Sequence, residues 1–431
     1  MRTLLRGANI LTADENNPYI RGADIVIEDD KIVYVGERKE HEDIDRIQYL
    51  HGFLITPGFI NTHTHLAMTL FRGWGEDMEL GKWLNEKIWP YEAKLTYEDV
   101  YYGSVAGIKE MLSTGTTSFV DMYFFENATI DAIHDSGIRA FITPGIIERD
   151  GWRERVNEVV ALKNGINSDL VEIHLSLHGF YTCGPQVVEY VLEKAKQTGS
   201  FIHIHLLEAP WERGAIEEKH GKDFIKKYYE MGMFDKVYVL AAHGVWINDE
   251  ELELLSSGSF ALAHCPQSNL KLVSGIAPIW KYMGEGMVVS IGTDGAASNN
   301  NLDLLEEIRT AGMLGKFKAG DPEALPAREL FYMLTKYGAK AVRRDDLGII
   351  APGKKADLVV WDIENVEWLP MWDTEMGMYA HIIYSVHSKA SVKRTWVAGR
   401  EVYRDGHLAV HINYKKGFED SVRRIFGGEE A

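Results

Sequence analysis

From about residue 57 to residue 347 the chain alternates eight short apolar, strand-like runs with longer stretches of helical texture. The runs are "GFINTHTH", "TTSFVDMYF", "RAFITPGII", "VEIHLSLH", "SFIHIHLLE", "VYVLAAH", "SFALAHCP" and "MVVSIGTD". Such alternation implies parallel strands joined by helical crossovers, of which "YEDVYYGSVAGIKEMLSTG" and "PQVVEYVLEKAKQTG" are two. Eight units predict an α/β fold of the (β/α)8 TIM-barrel type. A doubly wound open sheet is the alternative. The barrel is preferred because polar residues collect at the C-terminal ends of many different runs. An open sheet gathers its site at one switch point.

The two chain ends share a different texture. "RTLLRGANILT", "GADIVIEDDKIVYVGE" and "IQYLHGFLITPG" are short Val/Ile-rich strands broken by Gly, Asn and Asp, and the pattern returns in "KADLVVWDIENVEW" and "VKRTWVAGREVYRDG". The expectation is a composite β-sandwich domain of residues 1–56 plus 348–431, closed by a C-terminal helix, with the catalytic barrel at 57–347. With 46 Lys and Arg against 64 Asp and Glu, the net charge of −18 argues against nucleic-acid or anionic-membrane partners. Two cysteines exclude a disulfide scaffold. "MRTLLRGANILTADENN" has no apolar leader core, and no stretch reaches the ~20 apolar residues of a membrane span. A cytoplasmic enzyme or binding protein is expected.

Chemistry concentrates at the run ends. Residues i and i+2 of a strand share a face, so His63 and His65 point the same way at the end of the first run. The fourth run ends in His178. The fifth carries His203 and His205, with Glu208 just beyond. His243, His264 and Asp294 end the sixth, seventh and eighth. On a barrel these ends meet at one rim. Three histidines and an aspartate suit Zn²⁺, with Fe²⁺ or Mn²⁺ compatible, and could leave a position for water. A metal lowers the pKa of such a water towards ~7. Glu208 is badly placed to bind the same ion but could carry a proton.

Each signal alone has a plainer reading. An HxH pair is often exposed or capping, His178 and His243 could be satisfied core residues, and Asp294 could be a helix cap. Their recurrence at the right ends favours the metal. His203 lies deeper and reads as structural, His174 has no assigned role, and His264 is undecided. The loop after the first run, "LAMTLFRGWGEDMELGKWLNEKIWPYEAKL", is rich in Trp, Phe and Met. Trp89 reads as packing under the barrel. Trp83 and Glu92 are candidates for the wall of a planar, apolar substrate site.

In order along the chain, "PGFINTHTH", "HLLE", "AAHGV", "AHCPQSNLKL" and "GTDGAASNN" resemble the amidohydrolase superfamily. Within it, the chain looks most like the methylthioadenosine/S-adenosylhomocysteine deaminases and the related triazine hydrolases. The resemblance implies one divalent metal, most simply zinc, on His63, His65, His205 and Asp294. Relatives with two metals use a modified lysine where this chain has His178. It further implies Glu208 as proton shuttle and His243 as the residue that orients water beside Asp294. His178 would contact the purine, Trp83 would wall the pocket, Glu92 would hold ribose hydroxyls, and Ser298 would support the site. One departure stands out. Where the adenosine-type relatives carry "TRG" after the third strand, this chain reads "TPG", with Pro144. A second family arginine falls at Arg153 or Arg155.

The implied reaction is hydrolytic deamination of an adenine nucleoside to an inosine-type product and ammonia. The partner would be that small molecule, and homo-oligomerisation stays open. Rivals are loss of chloride or of another ring amine from guanine, cytosine or a triazine, and a non-catalytic metal-binding barrel.

Overall fold

The protein is described here by a computed structural model covering residues 1–427. Every one of the eight apolar runs contains a strand. Five form one parallel sheet in the order Asp294–Gly295, Phe59–His65, Thr116–Asp121, Arg139–Ile142, Val171–Ile173. Five form a second, in the order Leu175–Gly179, Ile202–Leu206, Val239–His243, Phe260–His264, Val288–Ile291. All pairings within both are parallel. The fourth and eighth runs are each divided between the sheets. His174 breaks the fourth, and Gly292–Thr293 the eighth.

The sheets also meet directly at the divided eighth run. Thr62 Oγ1 lies 2.8 Å from Ser290 Oγ and donates to the Ile291 carbonyl, and Thr293 N–H donates to the His63 carbonyl at 3.1 Å. A glycine is required at this junction. A Cβ on Gly292 would stand 2.9 Å from His63 Cβ and 3.0 Å from its backbone, closer than side chains normally approach. The interior is apolar and fully buried, with Phe59, Phe119, Ile142, Leu177, Ile204, Val239, Leu262 and Val289 from both sheets.

Both chain ends build one nine-stranded sheet. Phe53–Pro57 pairs antiparallel with Leu358–Asp362, in register Pro57 opposite Leu358, which joins the two termini. Tyr19–Glu28 and Lys31–Gly36 pair as an antiparallel hairpin around a turn at Asp29 and Asp30. Leu5, Ile10, Ile25, Ile27, Ile55, Val360 and Trp396 form a separate apolar cluster in this sheet.

The helix Lys415–Phe426 packs on the helix Tyr97–Ser113 and on the long loop after the first run. Phe426 stacks on Tyr91 with ring centres 5.3 Å apart and contacts Trp74 at 4.8 Å. Arg424 pairs with Asp99 and donates to the Lys94 carbonyl, while Lys94 Nζ donates to the Ile425 carbonyl.

One buried ion pair ties the terminal sheet to the parallel strands. Arg139 donates from Nε and Nη2 to Asp357 at 2.9 and 3.2 Å, and from Nη1 to the Asp169 carbonyl. Removing one partner of a buried pair strands the other charge. Arg139→Ala is expected to cost about 3–5 kcal/mol in chemical denaturation.

Candidate active site

Four histidines at the strand ends have their ring orientations fixed from behind. The Nδ1–H of His65 donates to the Met122 carbonyl and that of His205 to the His178 carbonyl, both at 2.6 Å. His243 Nδ1–H donates to Asn269 Oδ1 at 2.9 Å. For His63 the partner is another imidazole. His203 Nδ1–H donates to the Leu240 carbonyl at 2.7 Å, so its Nε2 is an acceptor, and His63 Nδ1–H donates to it at 2.8 Å. Each of the four therefore turns Nε2 inward.

The inward atoms converge on Asp294. Its Oδ1 lies 3.4 Å from His63 Nε2 and 3.2 Å from His65 Nε2, and His65 and His205 bring their Nε2 atoms to 3.3 Å. One ligand atom from each of His63, His205, His243 and Asp294 lies within 4.8 Å of the others, with His65 on the rim of the same cluster. His63 Nε2 is buried without a hydrogen-bond partner. Buried acceptors facing one another are costly unless a cation sits between them. The donor set and the orphaned His63 Nε2 fit a divalent metal. His243 and Asp294 also adopt left-handed backbone, φ 73° and 58°, a region uncommon for non-glycine residues.

Burial pushes His63 down to about 4, and burial together with neighbouring imidazoles holds His205 well below its ordinary range. Burial also opposes ionisation of Asp294, but the imidazoles of His63 and His65 outweigh it and keep the carboxyl well below its usual range. His65 goes the other way. Burial disfavours its charge, yet Asp294 outweighs burial and raises it to about 9 in the metal-free protein. Two serines hold the other oxygen of Asp294: Ser268 donates to Oδ2 at 2.6 Å and Ser298 at 3.0 Å.

A cavity opens onto this cluster. His65, His178, His205, Glu208, His243 and Asp294 make its polar floor, and Met68, Leu80, Trp83, Ile88, Trp89, Met122, Phe124 and Leu272 most of its apolar wall. Glu92 and Tyr123 stand on the side of the long loop. Burial raises the carboxyls of both Glu92 and Glu208 above the ordinary range. Glu208 accepts from Ser274 Oγ at 3.3 Å and lies 3.6 Å from His243 Nε2. A second chamber adjoins the first through Trp89, Glu92, Phe124 and Ile147, and its lining includes Arg149 and Arg155.

Residues 54–402 match the Amidohydrolase family. The chain belongs to the amidohydrolase family. It is 42% identical to a 5-methylthioadenosine/S-adenosylhomocysteine deaminase of Dictyoglomus thermophilum, over 99% of each chain. It is 39% identical to a 5'-deoxyadenosine deaminase of Methanosarcina acetivorans, over 97% of this chain and 96% of that one. Among solved structures it is similar to a zinc-bound adenosine deaminase of Xanthomonas campestris, with TM-score 0.91, 28% identity and 98% of both chains covered.

Most residues picked from the sequence of this amidohydrolase meet here: His63, His65, His178, His205, Glu208, His243, Asp294, Trp83 and Glu92. Two depart from their expected places. Trp89 lines both chambers rather than packing beneath the strands. Arg153 is absent from the lining of either chamber, because its guanidinium lies over the rings of Trp152 and Tyr190, at 4.8 and 4.4 Å. Ser298 sits beside the site through its bond to Asp294 and does not line the cavity. Arg155 lines the outer chamber but is tied to Glu126 at 2.7 Å. His264 is buried outside the cavity, and burial lowers it to about 3. Ser268, Asn269 and the relay role of His203 escaped sequence reading. "CPQSN" after the seventh strand was the available signal for the first two.

Two outcomes follow from the ligand geometry. His203→Ala, which removes the acceptor for His63 Nδ1–H, is expected to weaken zinc binding about 10- to 100-fold in chelator competition. Below pH of about 9, His65 holds a proton that a metal must displace. Zinc affinity is therefore expected to fall on acidification, by roughly tenfold per pH unit for that one proton, as a chelator titration across pH would read.

Proposed function

We propose that this amidohydrolase deaminates adenine nucleosides by hydrolysis, acting on 5-methylthioadenosine, S-adenosylhomocysteine, 5'-deoxyadenosine or adenosine and releasing ammonia and the inosine-type product. The observation that carries the reading is Glu208. It is a buried carboxyl in the wall of the cavity that meets the His/Asp cluster, in a chain about 40% identical end to end to named deaminases. The relatives support the substrate class, and the apolar slot above a polar floor suits a planar heteroaromatic ring.

The ligand set of the reading is His63, His65, His205 and Asp294, holding one divalent ion, zinc by preference. When bound, the ion supplies Lewis acidity and a water of lowered pKa. The side chains do the rest. Asp294 and His243 orient the water and take its proton. Glu208, whose raised pKa suits a group that both accepts and gives a proton, delivers one to the ring nitrogen next to C6. Water oxygen adds to C6, the amine takes the proton held by Asp294 and His243 and departs as ammonia, and the proton left on the added oxygen returns to Glu208 as the C6 carbonyl forms. His178 meets the purine, Trp83 and Trp89 flank it, and Glu92 faces the ribose hydroxyls.

The architectural reading is a (β/α)8 barrel at 57–347 bearing a β-sandwich made of 1–56 and 348–431. The hydrogen bonds joining the two parallel sheets and the separate apolar cluster of the terminal sheet support it. No helix among the described residues is long and apolar enough to cross a membrane. The reading puts the enzyme in the cytoplasm, where its buried free thiols Cys183 and Cys265 stay reduced.

Metal-loaded protein incubated with methylthioadenosine is expected to show the adenine-to-hypoxanthine absorbance change with equimolar ammonia. Glu208→Gln should keep its metal and lose on the order of 10²–10⁴ in kcat. Full activity in that variant would remove Glu208 from the chemistry. No turnover of any adenine nucleoside, with metal bound, would move the substrate to guanine, cytosine or a triazine.

A further inference from the structure

The strand Ile202–Leu206 carries His205, and two residues later the chain must present Glu208 to the cavity. It does so through a strained turn. Leu207 sits at φ 49°, in the left-handed region that a branched side chain seldom adopts. Such a conformation persists only when its surroundings over-determine it. The surroundings here are largely one side chain. Glu212 Oε1 accepts the Leu207 N–H at 3.0 Å, and Glu212 Oε2 accepts the Glu208 N–H at 2.6 Å. On the other side, the Leu207 carbonyl accepts the Trp246 N–H.

Glu212 begins the helix Glu212–His220, yet its carboxylate reaches back four and five residues instead of serving its own first turn. It is 1% exposed, and no ion pair to it occurs among the described residues. A buried, unpaired carboxylate is expensive. A glutamine of the same shape would offer one acceptor and turn an N–H2 against the second N–H. Only a carboxylate accepts both.

We propose that Glu212 is the positioning residue for Glu208: by gripping two consecutive backbone N–H groups, it locks the turn that aims the Glu208 carboxyl between Ser274 and His243. The assignment rests on the reading of Glu208 as proton carrier. Glu212 does not touch the cavity and takes no part in bond making.

The test compares Glu212→Ala, Glu212→Gln, Glu208→Gln and the double variant Glu208→Gln/Glu212→Ala, all zinc-loaded, with methylthioadenosine as substrate. Expected is a kcat loss of about 10²-fold for Glu212→Ala, from misplacement alone. KM and zinc per chain should hold, and Glu212→Gln should fall between. In the Glu208→Gln background the same change should cost nothing further, because both act through one group. A crystal structure of Glu212→Ala should show the Glu208 carboxyl displaced from Ser274. An additive loss in the double variant, or Glu208 unmoved in the crystal, would overturn the assignment. If Glu212→Ala does not fold, Glu212→Gln carries the same comparison. If the wild type turns over no adenine nucleoside, the functional reading fails, while the crystal structure still decides whether Glu212 sets the position of Glu208.

Discussion

Four imidazoles with their Nε2 atoms turned inward, beside a carboxylate, at the largely buried floor of a cavity make an arrangement that resists its own assembly. Each ring has its other nitrogen committed to a carbonyl, an amide oxygen or a second ring, so none can rotate to relieve the crowding. In the metal-free protein, one proton on His65, held by Asp294, partly offsets the cost. A cation offsets it more fully. The surrounding structure is built to tolerate this demand. Left-handed backbone at His243 and Asp294 bends two strand ends inward, and the bare Cα of Gly292 lets the eighth run approach His63.

The floor of the cavity is polar because strands end there, and its wall is apolar because the long loop after Phe59–His65 folds over them. Within that loop Leu66–Phe71 is a 3-10 helix and residues 80–92 form one continuous helical run with a π-type middle, Leu84–Ile88. Its position is held from outside. The C-terminal helix lays Phe426 against Tyr91 and Trp74 and clamps Lys94 from both directions. A segment some 330 residues away in sequence thus shapes the wall that would meet the substrate.

Buried carboxylates recur just outside the ligand cluster. Asp121 accepts the N–H of Leu66 at 2.7 Å, immediately after His65. Glu212 holds the turn after His205, and Glu307 accepts the Gln267 N–H and the side chain of Asn299, beyond His264 and Asp294. Burial raises all three, with Asp121 and Glu212 near 7. Placed around a site that gathers a divalent cation, they hold the backbone beside its strand ends.

The order of strands and the kinds of residues at their ends were legible in the sequence. Alternation of apolar runs and helices dictates parallel strands, and a two-residue repeat puts His63 and His65 on one face wherever the strand goes. What a side chain does once there depends on partners that local pattern does not encode. His203 is a tautomer lock only because Leu240 and His63 flank it, and Ser268 and Ser298 share one oxygen of Asp294 only because the fold brings the seventh and eighth run ends together. Trp89 and Arg153 went astray for the same reason. The direction of a loop tryptophan, and the choice of an arginine between a cavity and two nearby aromatic rings, are settled by packing between segments far apart in the chain. The sequence by itself determined which groups could do the chemistry. Tertiary contact decided which nitrogen faces inward, which carboxylate is aimed and which only supports, because each of those depends on a neighbour brought from elsewhere in the fold.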